Sequence, residues 1–564
     1  MKENELIQLL LFFGLLIVTT PLLGRFMARV FEGERTLLTP ALGPVEQLIY
    51  RLGGVRSKNE MTWPLYFAAI VIFNVVGLLS LVALQMTQAW LPLNPQKFPN
   101  VPWALALNTA ISFVTNTNWQ AYSGESIMSY LSQMAGLAVH NFLSAATGIA
   151  VLLALARGIK RASASTLGNF WVDLTRATLY VLLPLAVIGA PLLVSQGVVQ
   201  SFSPYATVKT VEGADQVIPL GPAASQIIIK HLGTNGGGFF GQNSAHPFEN
   251  PTPLSNFIEV FGLIAIAAAL VYAFGLLVGD RRHGWCLFGV MLALLVGAFA
   301  LAWWAEARPN PVFANAQPLL EGKETRFGVM NSVLFVVATT GTSCGAVNSM
   351  NDSFTPLAGL AALWNLMLGC ISFGGVGAGL YGLFMHVVLT VFIAGLMVGR
   401  TPEYLGKKIQ AWEATWAIVA ILIPNTLILL GSAVACSVQT GLSSLNNQGP
   451  HGLSEILYAY ASASNNNGSA FAGLNANTNF YNLSLGATMF LGRFGVALAA
   501  LAIAGHLAAK KTVPASPGTF PTNGLTFACV LFGVIVIIGA LTFFPSLCLG
   551  PIVEHGLMAQ DRVF

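Results

Sequence analysis

The sequence has 564 residues, of which 9% are charged and 55% are hydrophobic. Soluble globular domains carry about 25% charged residues, so this composition excludes a soluble enzyme and indicates a protein whose solvent is lipid. The net charge is only +4, and the basic residues are scattered between apolar runs, which gives no support to nucleic-acid binding. The six cysteines show no paired spacing, so neither a disulfide framework nor a zinc site is indicated.

Ten apolar segments are long enough to cross a bilayer core, which takes about 20 residues of helix. The sequence therefore predicts an all-α integral membrane protein with ten transmembrane helices. An even number of crossings puts both termini on the same side of the membrane. The ten segments lie near residues 6–24, 64–90, 127–156, 177–199, 257–279, 285–304, 357–399, 414–437, 480–509 and 524–547.

Lysine and arginine gather on alternate connections between these segments, as the positive-inside rule requires. By this rule the basic connections face the cytoplasm, while the other connections and both termini face outward. Residues 31–60 and 400–410 are thus predicted to lie inside, and residues 308–326 outside.

The four outward connections between crossings each contain an apolar stretch that is too short to cross the membrane. Small and amide residues follow each stretch, which predicts a re-entrant half-helix and a filter-like loop. The stretches are 101–114, 222–232, 327–338 and 452–463.

These four units indicate an internal fourfold repeat. Aligning Asn118, Gly236, Gly345 and Gly468 gives spacings of 118, 109 and 123 residues. An N-terminal helix with a cytoplasmic linker (1–60) precedes the repeats, and a C-terminal helix with a tail (512–564) follows them. The predicted repeats are 61–160, 161–282, 283–407 and 408–511.

Four half-helices on one membrane side predict a site for a monovalent cation. Each half-helix would point its C-terminal end, which carries about −0.5 elementary charge, into the membrane. The loops that follow can offer carbonyl oxygens, and glycine allows the backbone to turn these oxygens inward. Since the central triplets contain no carboxylate, potassium is the expected ion. Glu125, Glu249 and Asp352 follow their filters and are either cation-attracting groups or solvated loop charges.

Several long motifs resemble the A subunits of bacterial potassium-transporting ATPases, the channel-like component of Kdp complexes. The motifs are TNTNWQAYSGE, GTNGGGFFGQNSAHPFENPTP, TSCGAVNSMNDSFTP, SNNNGSAFAGL, FGGVGAGLYG and GRTPEYLGKKI. The resemblance implies the fold of the superfamily of potassium transporters, in which four membrane–pore–membrane units of one chain surround a single filter. The filter residues that it implies are Asn116, Thr117, Asn118, Thr234, Asn235, Gly236, Ser343, Cys344, Gly345, Asn466, Asn467 and Gly468.

The same resemblance implies potassium as the transported ion, the bacterial inner membrane as the location, and ATP-driven import as the process. The implied partners are a P-type ATPase catalytic subunit and small accessory membrane subunits. Gln120 matches a family glutamine associated with potassium affinity. One departure is Cys370, which stands just before FGGVG where the family is expected to carry a glutamate. A carboxylate that would attract potassium leaving the filter is therefore absent there.

Three alternatives concern catalysis and energy. Gly341–Gly345 fits the G-x-S-x-G elbow of hydrolases, but it follows an apolar half-helix instead of a strand. No G-x-x-x-x-G-K-[ST] loop occurs and no Asp precedes Lys-Thr-Gly, so the chain is expected to have no ATP site and no catalytic activity of its own. Energy then comes from a partner or, alternatively, from an ion gradient, as in symporters of the Trk/Ktr class.

The ion path beyond the filter is predicted from the segment between Asp352, outside, and Arg400, inside. The 47 residues between them carry no charge, and one straight helix of that length would measure about 70 Å. We expect the surplus to fold back and close the direct path, so that potassium leaves sideways into the partner. Arg493, in the middle of the ninth crossing, is expected to face the vestibule below the filter, where it either repels potassium or holds this segment. The glycines that allow the break are Gly374, Gly375, Gly377 and Gly379.

Overall fold

The computed structural model describes residues 3–310, 312, 319–397, 399, 402–514 and 519–562. Within these ranges ten helices are long and apolar enough to cross a membrane, which confirms the predicted number. The ten are α1 (Glu3–Glu32), α3 (Trp63–Trp90), α5 (Ser132–Lys160), α6 (Phe170–Ser195), α8 (Pro253–Val278), α9 (Arg281–Glu306), α12 (Ala378–Met397), α13 (Ala411–Ser437), α15 (Asn479–Ala509) and α16 (Leu525–Met558).

Shorter helices lie between the long ones and include the four predicted half-helices. These pore helices are α4 (Trp103–Val114), α7 (Ala223–Leu232), α10 (Gly328–Gly341) and α14 (Gly449–Ser464). Each pore helix follows one long helix, and a filter loop and a further helix come after it. The other short elements are α2 (Thr39–Leu52), α11 (Pro356–Met367), the four-residue helices Gly124–Ile127 and Gln439–Leu442, and the strands β1 (Ala206–Lys209), β2 (Asp215–Ile218), β3 (Glu403–Tyr404) and β4 (Lys407–Lys408).

Helix α6 begins seven residues earlier than the apolar run from residue 177 predicts. Asn169 caps it by accepting a hydrogen bond from the Trp171 N–H. The charged residues in this stretch suggested a loop, but Asp173 is buried and accepts two hydrogen bonds from Arg157, at 2.6 and 2.7 Å. Because the buried pair is compensated and hydrogen-bonded, the helix can contain a charge that hydropathy alone places outside it.

The segment after the third filter is broken, as its length predicts. Helix α11 ends at Met367 and α12 begins at Ala378, and the ten residues between them are irregular. Cys370 and Gly377 adopt left-handed backbone conformations, with φ of 50° and 84°. One part of the prediction is corrected: Gly379 lies inside α12, where a Cβ would press on the backbone of Gly374. Close packing of two backbone segments explains why this position is glycine.

Polar connections collect on two opposite faces of the helix bundle. On one face Arg161 pairs with Glu60 at 2.7 Å, and Lys407 donates to the carbonyl oxygen of Lys510 at 2.8 Å. These contacts join the connections that the positive-inside rule assigns to the cytoplasm. The other face carries the β1–β2 hairpin and the ends of the filter loops, where Tyr205 donates to the carbonyl oxygen of Glu125 at 2.7 Å.

Candidate ion-binding site

The four pore helices end with the same hydrogen-bonded cap. In each, the backbone N–H of the second residue after the C-cap donates to the carbonyl oxygen of the residue five positions earlier. The first residue after the C-cap has a left-handed backbone. This is the Schellman motif. The amide bonds are Thr117 to Ser112, Asn235 to Lys230, Cys344 to Thr339 and Asn467 to Ser462, at 2.8–3.0 Å. The left-handed residues are Asn116, Thr234, Ser343 and Asn466, with φ of 67°, 51°, 57° and 53°.

The cap explains the fourfold register. The left-handed residues recur at the spacings of 118, 109 and 123 residues found by sequence alignment of the loops. Each is the first member of a predicted filter triplet, so the triplets begin where the helical hydrogen bonding ends. Helix dipoles and the free carbonyls of the last turn therefore point towards the same region as the loops.

None of the four left-handed positions is occupied by glycine, although glycine is the usual residue there. A side chain in this conformation costs about 1–2 kcal/mol, and a β-branched residue such as Thr234 is the least suited. The Thr234 hydroxyl donates to the carbonyl oxygen of Gly233 at 2.7 Å and accepts from the Val376 N–H at 3.0 Å. These side-chain bonds offset the backbone strain.

Filter loops 1 and 2, the segments that begin at Asn116 and Thr234, are joined through side-chain amides. Asn116 donates to the carbonyl oxygen of Thr234 at 3.0 Å. In the reverse direction Asn235 donates to the side-chain oxygens of Asn116 and Asn118, at 2.7 and 3.1 Å.

Filter loops 3 and 4, which begin at Ser343 and Asn466, close the ring. The Ser343 hydroxyl donates to the carbonyl oxygen of Asn466 at 2.9 Å, and the Cys344 thiol donates to the carbonyl oxygen of Asn235 at 3.0 Å. Asn466 in turn donates to the Thr117 hydroxyl at 2.9 Å. Every neighbouring pair of loops is thus bonded, and the four predicted triplets meet in one ring.

The three filter glycines lie where backbones from different loops converge. A Cβ on Gly236 would lie 2.6 Å from the Thr117 carbonyl oxygen and 3.0 Å from that of Asn467. One on Gly345 would lie 2.5 Å from the same Asn467 oxygen, and one on Gly468 would press on the Thr117 oxygen. Only Gly468 among the three has a left-handed backbone, with φ of 100°. Close approach, and not an unusual dihedral, therefore requires glycine at positions 236 and 345.

Gln120 belongs to the filter's outer support. Its side-chain oxygen accepts from the Gly238 N–H at 2.9 Å, and its amide donates to the Gly238 carbonyl oxygen at 3.1 Å. The Gln120 side chain, which belongs to repeat 1, thereby bonds both backbone groups of Gly238 in the loop of repeat 2. This contact fixes the loop just beyond the second triplet, and that is the physical role that the structure gives to Gln120.

Two of the three acidic residues after the filters, Glu249 and Asp352, are buried, and Glu125 is half-buried. Glu249 is fully buried, pairs with the buried Lys230 at 3.3 Å, and accepts from the Phe239 N–H at 2.9 Å. Asp352 is 9% exposed and contacts His451 at 3.1 Å. Glu125 is half-buried, and burial raises the pKa of its carboxyl although the Gly241 N–H donates to it. These groups stabilise the loops that follow the filters.

A cavity of about 80 Å³ lies on the side of the filter towards the broken segment. Its walls include Ser343, Asn466, Cys370 and Arg493. Arg493 is 7% exposed and donates to the Ser144 carbonyl oxygen at 3.3 Å. Gly148 packs against both the Val376 carbonyl and Arg493, since a Cβ on Gly148 would press on the Val376 oxygen and lie 3.0 Å from the Arg493 guanidinium.

The broken segment is attached to the filter. Besides the bond from Val376 to Thr234, Gly375 faces the Ser343 side chain, and Gly377 packs on the Gly148 backbone. Gly374 is equally constrained, since a Cβ there would meet the Cys370 carbonyl. The structure thus brings the predicted exit residues Gly374, Gly375, Gly377, Cys370 and Arg493 together, whereas Arg400 lies outside the described residues.

Two site residues were not predicted. Asn141 accepts from the Asn118 amide at 2.5 Å, and Ser144 donates to the Asn116 side-chain oxygen at 2.7 Å. They lie three positions apart on α5 and so share one helix face. Their polarity within an apolar span is the signal that would have found them.

The hydrolase alternative finds no support at Ser343. Gly341 is the last residue of α10, so the G-x-S-x-G pentapeptide follows a helix, as the sequence indicated. The Ser343 hydroxyl donates to the carbonyl oxygens of Asn465 and Asn466. These contacts bind two filter loops together, and they occupy the hydroxyl that a nucleophile would need.

Replacing Gly345 with alanine is expected to weaken potassium binding at least tenfold, about 1.4 kcal/mol, because the Cβ meets the backbone of loop 4. Ser343→Ala keeps its carbonyl and should have a smaller effect. Titration of the purified protein with potassium, with rubidium and sodium as competitors, measures both. Gly289→Ala is the control, since a Cβ there meets open space. The filter assignment would be wrong if rubidium and sodium compete with potassium in Gly345→Ala and Gly468→Ala as they do in the unsubstituted protein.

Comparison with known proteins gives one consistent family. The family described as potassium-transporting ATPase A subunit matches residues 10–556. A potassium-transporting ATPase potassium-binding subunit from Rhodospirillum centenum is 57% identical, and the alignment covers 100% of this chain and 99% of that one. Proteins of the same name from Koribacter versatilis and Pseudomonas fluorescens are 54% and 56% identical, with 100% and 96% of this chain covered, and 100% and 97% of theirs.

Among solved structures, the potassium transporter TrkH from Vibrio parahaemolyticus has a TM-score of 0.51 at 14% identity. The match covers 88% of this chain and 97% of TrkH, and it shows a shared fold. The resemblance of the loop motifs is confirmed by matches along the whole length. The chain belongs to the family of potassium-transporting ATPase A subunits.

Proposed function

We propose that this chain selects and binds extracellular potassium and passes it to a P-type ATPase partner, which drives high-affinity import with ATP. The observation that carries the proposal is the closed ring of four Schellman-capped loops. In this ring the carbonyl oxygens of Thr117 and Asn467 crowd the filter glycines. The names of the 54–57% identical relatives support the same ion and the same kind of complex.

Potassium suits this ring because its ligands are neutral. Carbonyl oxygens at the C-terminal ends of four helices stabilise a monovalent cation without a carboxylate, and they can replace its hydration shell. The interloop bonds hold these oxygens in place, so the chain need not order them when the ion binds. The four triplets that begin at Asn116, Thr234, Ser343 and Asn466 are the proposed ligands.

The chain is proposed to be the non-catalytic subunit of the complex. The sequence contains no P-loop, and the relatives are named as potassium-binding subunits. A P-type ATPase catalytic subunit and small accessory membrane subunits would then supply the energy and complete the assembly. The alternative is a gradient-driven symporter; the likeness to TrkH concerns the fold alone and does not favour it.

Transport in proteoliposomes separates the two candidates. The complex purified gently with its native partners should take up labelled rubidium when ATP is supplied on the cytoplasmic side, and an imposed proton or sodium gradient without ATP should not drive uptake. Native mass spectrometry of the same sample identifies the partners. Gradient-driven uptake by the chain alone would favour the symporter. A complex containing Gly345→Ala is the control for filter-dependent transport.

We also propose that the direct path below the filter is closed and that potassium leaves sideways. Residues 368–377 lie against the ring, since the Val376 N–H donates to the Thr234 hydroxyl and Gly375 faces the Ser343 side chain. Arg493 places a buried positive charge beside this segment, and that charge repels a cation at the cavity. The cavity walls also include Ile538, Gly539 and Phe543 of α16. Helix α16 therefore borders the cavity, and the proposed lateral route would pass between α16 and its neighbouring helices.

Arg493→Ala should produce ATP-independent rubidium leak or uncoupled ATP hydrolysis in the assembled complex. The substitution removes both the charge and the bond to the Ser144 carbonyl. Arg493→Lys keeps the charge and should restore most of the coupling. Leak in proteoliposomes and the ratio of rubidium transported to ATP hydrolysed measure the effect. Normal coupling in Arg493→Ala would show that the segment is closed without this residue.

We propose the orientation of the chain in the membrane from the distribution of its basic residues. The face that holds Glu60, Arg161, Lys407 and Lys510 is assigned to the cytoplasm, and the face with the β1–β2 hairpin and both termini to the outside of the inner membrane. The division into repeats 61–160, 161–282, 283–407 and 408–511 remains part of the proposal.

Single cysteines at two exposed positions test the orientation. Val211→Cys in the β1–β2 turn should react with an impermeant maleimide in intact cells, whereas Lys58→Cys should react only after the membrane is opened. Both positions are exposed, so accessibility differs only through the membrane. The unsubstituted chain gives the background from its own cysteines. Labelling of Lys58→Cys in intact cells would reverse the topology.

A further inference from the structure

A second cluster of charged residues lies among the outer loops, between repeats 3 and 4. A carboxylate oxygen of Asp352, a ring nitrogen of His451 and a carboxylate oxygen of Glu455 all lie within 4.8 Å of one another. Asp352 follows the third filter, and the other two lie one turn apart on α14. The cluster thus joins two elements of the chain, and two of its three side chains, those of Asp352 and Glu455, are buried.

The orientation of His451 is fixed by a fourth residue. Its Nδ1 faces a carboxylate oxygen of Glu554 on α16 at 2.7 Å, and its Nε2 faces Asp352 Oδ1 at 3.1 Å. A metal-ligating histidine usually donates its other ring N–H to a carboxylate, which is the role that Glu554 has here. Nε2 and Asp352 Oδ1 form a hydrogen bond in the metal-free chain, and a bound cation would replace the proton that they share. Two ligand atoms of a tetrahedral zinc ion lie about 3.3 Å apart, close to the observed separation of Nε2 and Oδ1.

Glu455 supplies an independent indication of a missing ligand. Its side chain is fully buried, and one carboxylate oxygen accepts from the Asn447 amide at 2.9 Å. The other oxygen has no hydrogen-bond partner among the described residues. A buried carboxylate without a partner is costly, and a bound cation removes that cost.

Open space adjoins the cluster on one side only. On the other side the Gly473 backbone packs closely, since a Cβ there would press on Glu455 and lie 2.7 Å from Asp352 Oδ2. A cavity of about 380 Å³, lined by Asp352, His451 and Glu554, adjoins the cluster. An ion bound by three protein groups would therefore keep a position for water, as three-ligand zinc sites do.

We propose that Asp352, His451 and Glu455 bind a divalent transition-metal cation of the zinc class on the outer side, with Glu554 positioning His451. One imidazole and two carboxylates suit this class. Calcium prefers six to eight oxygen ligands and gains little from an imidazole. The other charged groups that line the cavity are Glu321, Lys323 and Arg562.

The cluster is connected to the filter by hydrogen bonds. Next to Asp352, the Asn351 amide donates to the Tyr458 hydroxyl at 3.0 Å, and this hydroxyl is 2.8 Å from the Ser469 hydroxyl. Ser469 donates to the side-chain oxygen of the filter residue Asn467 at 2.5 Å. Metal binding is therefore expected to change rubidium affinity. This relay rests on the proposed potassium function, whereas the metal site does not.

Zinc titration of the chelator-treated complex against a competing indicator dye tests the site. We expect one tightly bound zinc per chain, and at least a tenfold weaker affinity in Glu455→Gln and Asp352→Asn. Glu321→Gln, in the same cavity but exposed, should bind zinc normally. X-ray absorption of the zinc-loaded complex should show nitrogen and oxygen ligands.

The possible results separate the site from the relay. The metal site is overturned if the complex binds no stoichiometric zinc or if X-ray absorption shows sulfur ligands from the cysteines. It is also overturned if Glu455→Gln and Asp352→Asn bind zinc as tightly as the unsubstituted chain. Tighter binding of calcium than of zinc overturns the assigned class. Rubidium titration with and without zinc then tests the relay, which fails if rubidium affinity stays the same. Rubidium binding by the zinc-free complex is measured separately and bears on the proposed potassium function alone.

Discussion

The whole arrangement depends on one constraint: irregular backbone at membrane depth must find hydrogen-bond partners within the protein. The four filter loops meet it in two ways. Each loop begins with a Schellman cap, which satisfies the last carbonyls of its pore helix. Each loop is then bonded to its neighbours through side chains such as Asn235 and Ser343. The proposed site, which would replace the water around an ion, is in this way built from groups that are themselves kept from water.

The loops are alike in their caps but differ beyond them. At the third triplet position Asn118 and Gly468 have left-handed backbones, whereas Gly236 and Gly345 do not. Loops 1 and 4 therefore differ from loops 2 and 3, and the ring has less than fourfold symmetry. A single chain with four unequal repeats can adjust each loop separately, which a homotetramer cannot do.

Much of this architecture could be predicted from the sequence. The number of helices followed from the lengths of the apolar segments. The register followed from the loop composition, since small and amide residues come directly after each predicted half-helix. The break near residue 374 followed from the length of the uncharged segment, which is too long for one straight helix across the membrane. These features depend on local properties of the chain, which sequence patterns report directly.

Other features depend on partners that are distant in sequence. The early start of α6 requires the pairing of Asp173 with Arg157, and hydropathy treats both as loop residues. The burial of Glu249 depends on its ion pair with Lys230. The sequence alone predicts that a lysine is exposed, because the partner that compensates its charge is not visible there. The helix face of Asn141 and Ser144 was visible in the sequence, but its partners in loop 1 were not.

The bond between Val376 and Thr234 links two functions that are usually treated as separate. Any movement that withdraws residues 368–377 must break this bond, and the most strained residue of the ring then loses one of its two side-chain restraints. The ring is thus expected to be most rigid while residues 368–377 stay bonded to it. If these residues close the direct path, as proposed, an open path would come with a looser ring, so that discrimination among cations and closure of the path would belong to one mechanical state. The proposed lateral exit would let ions move on without disturbing that state.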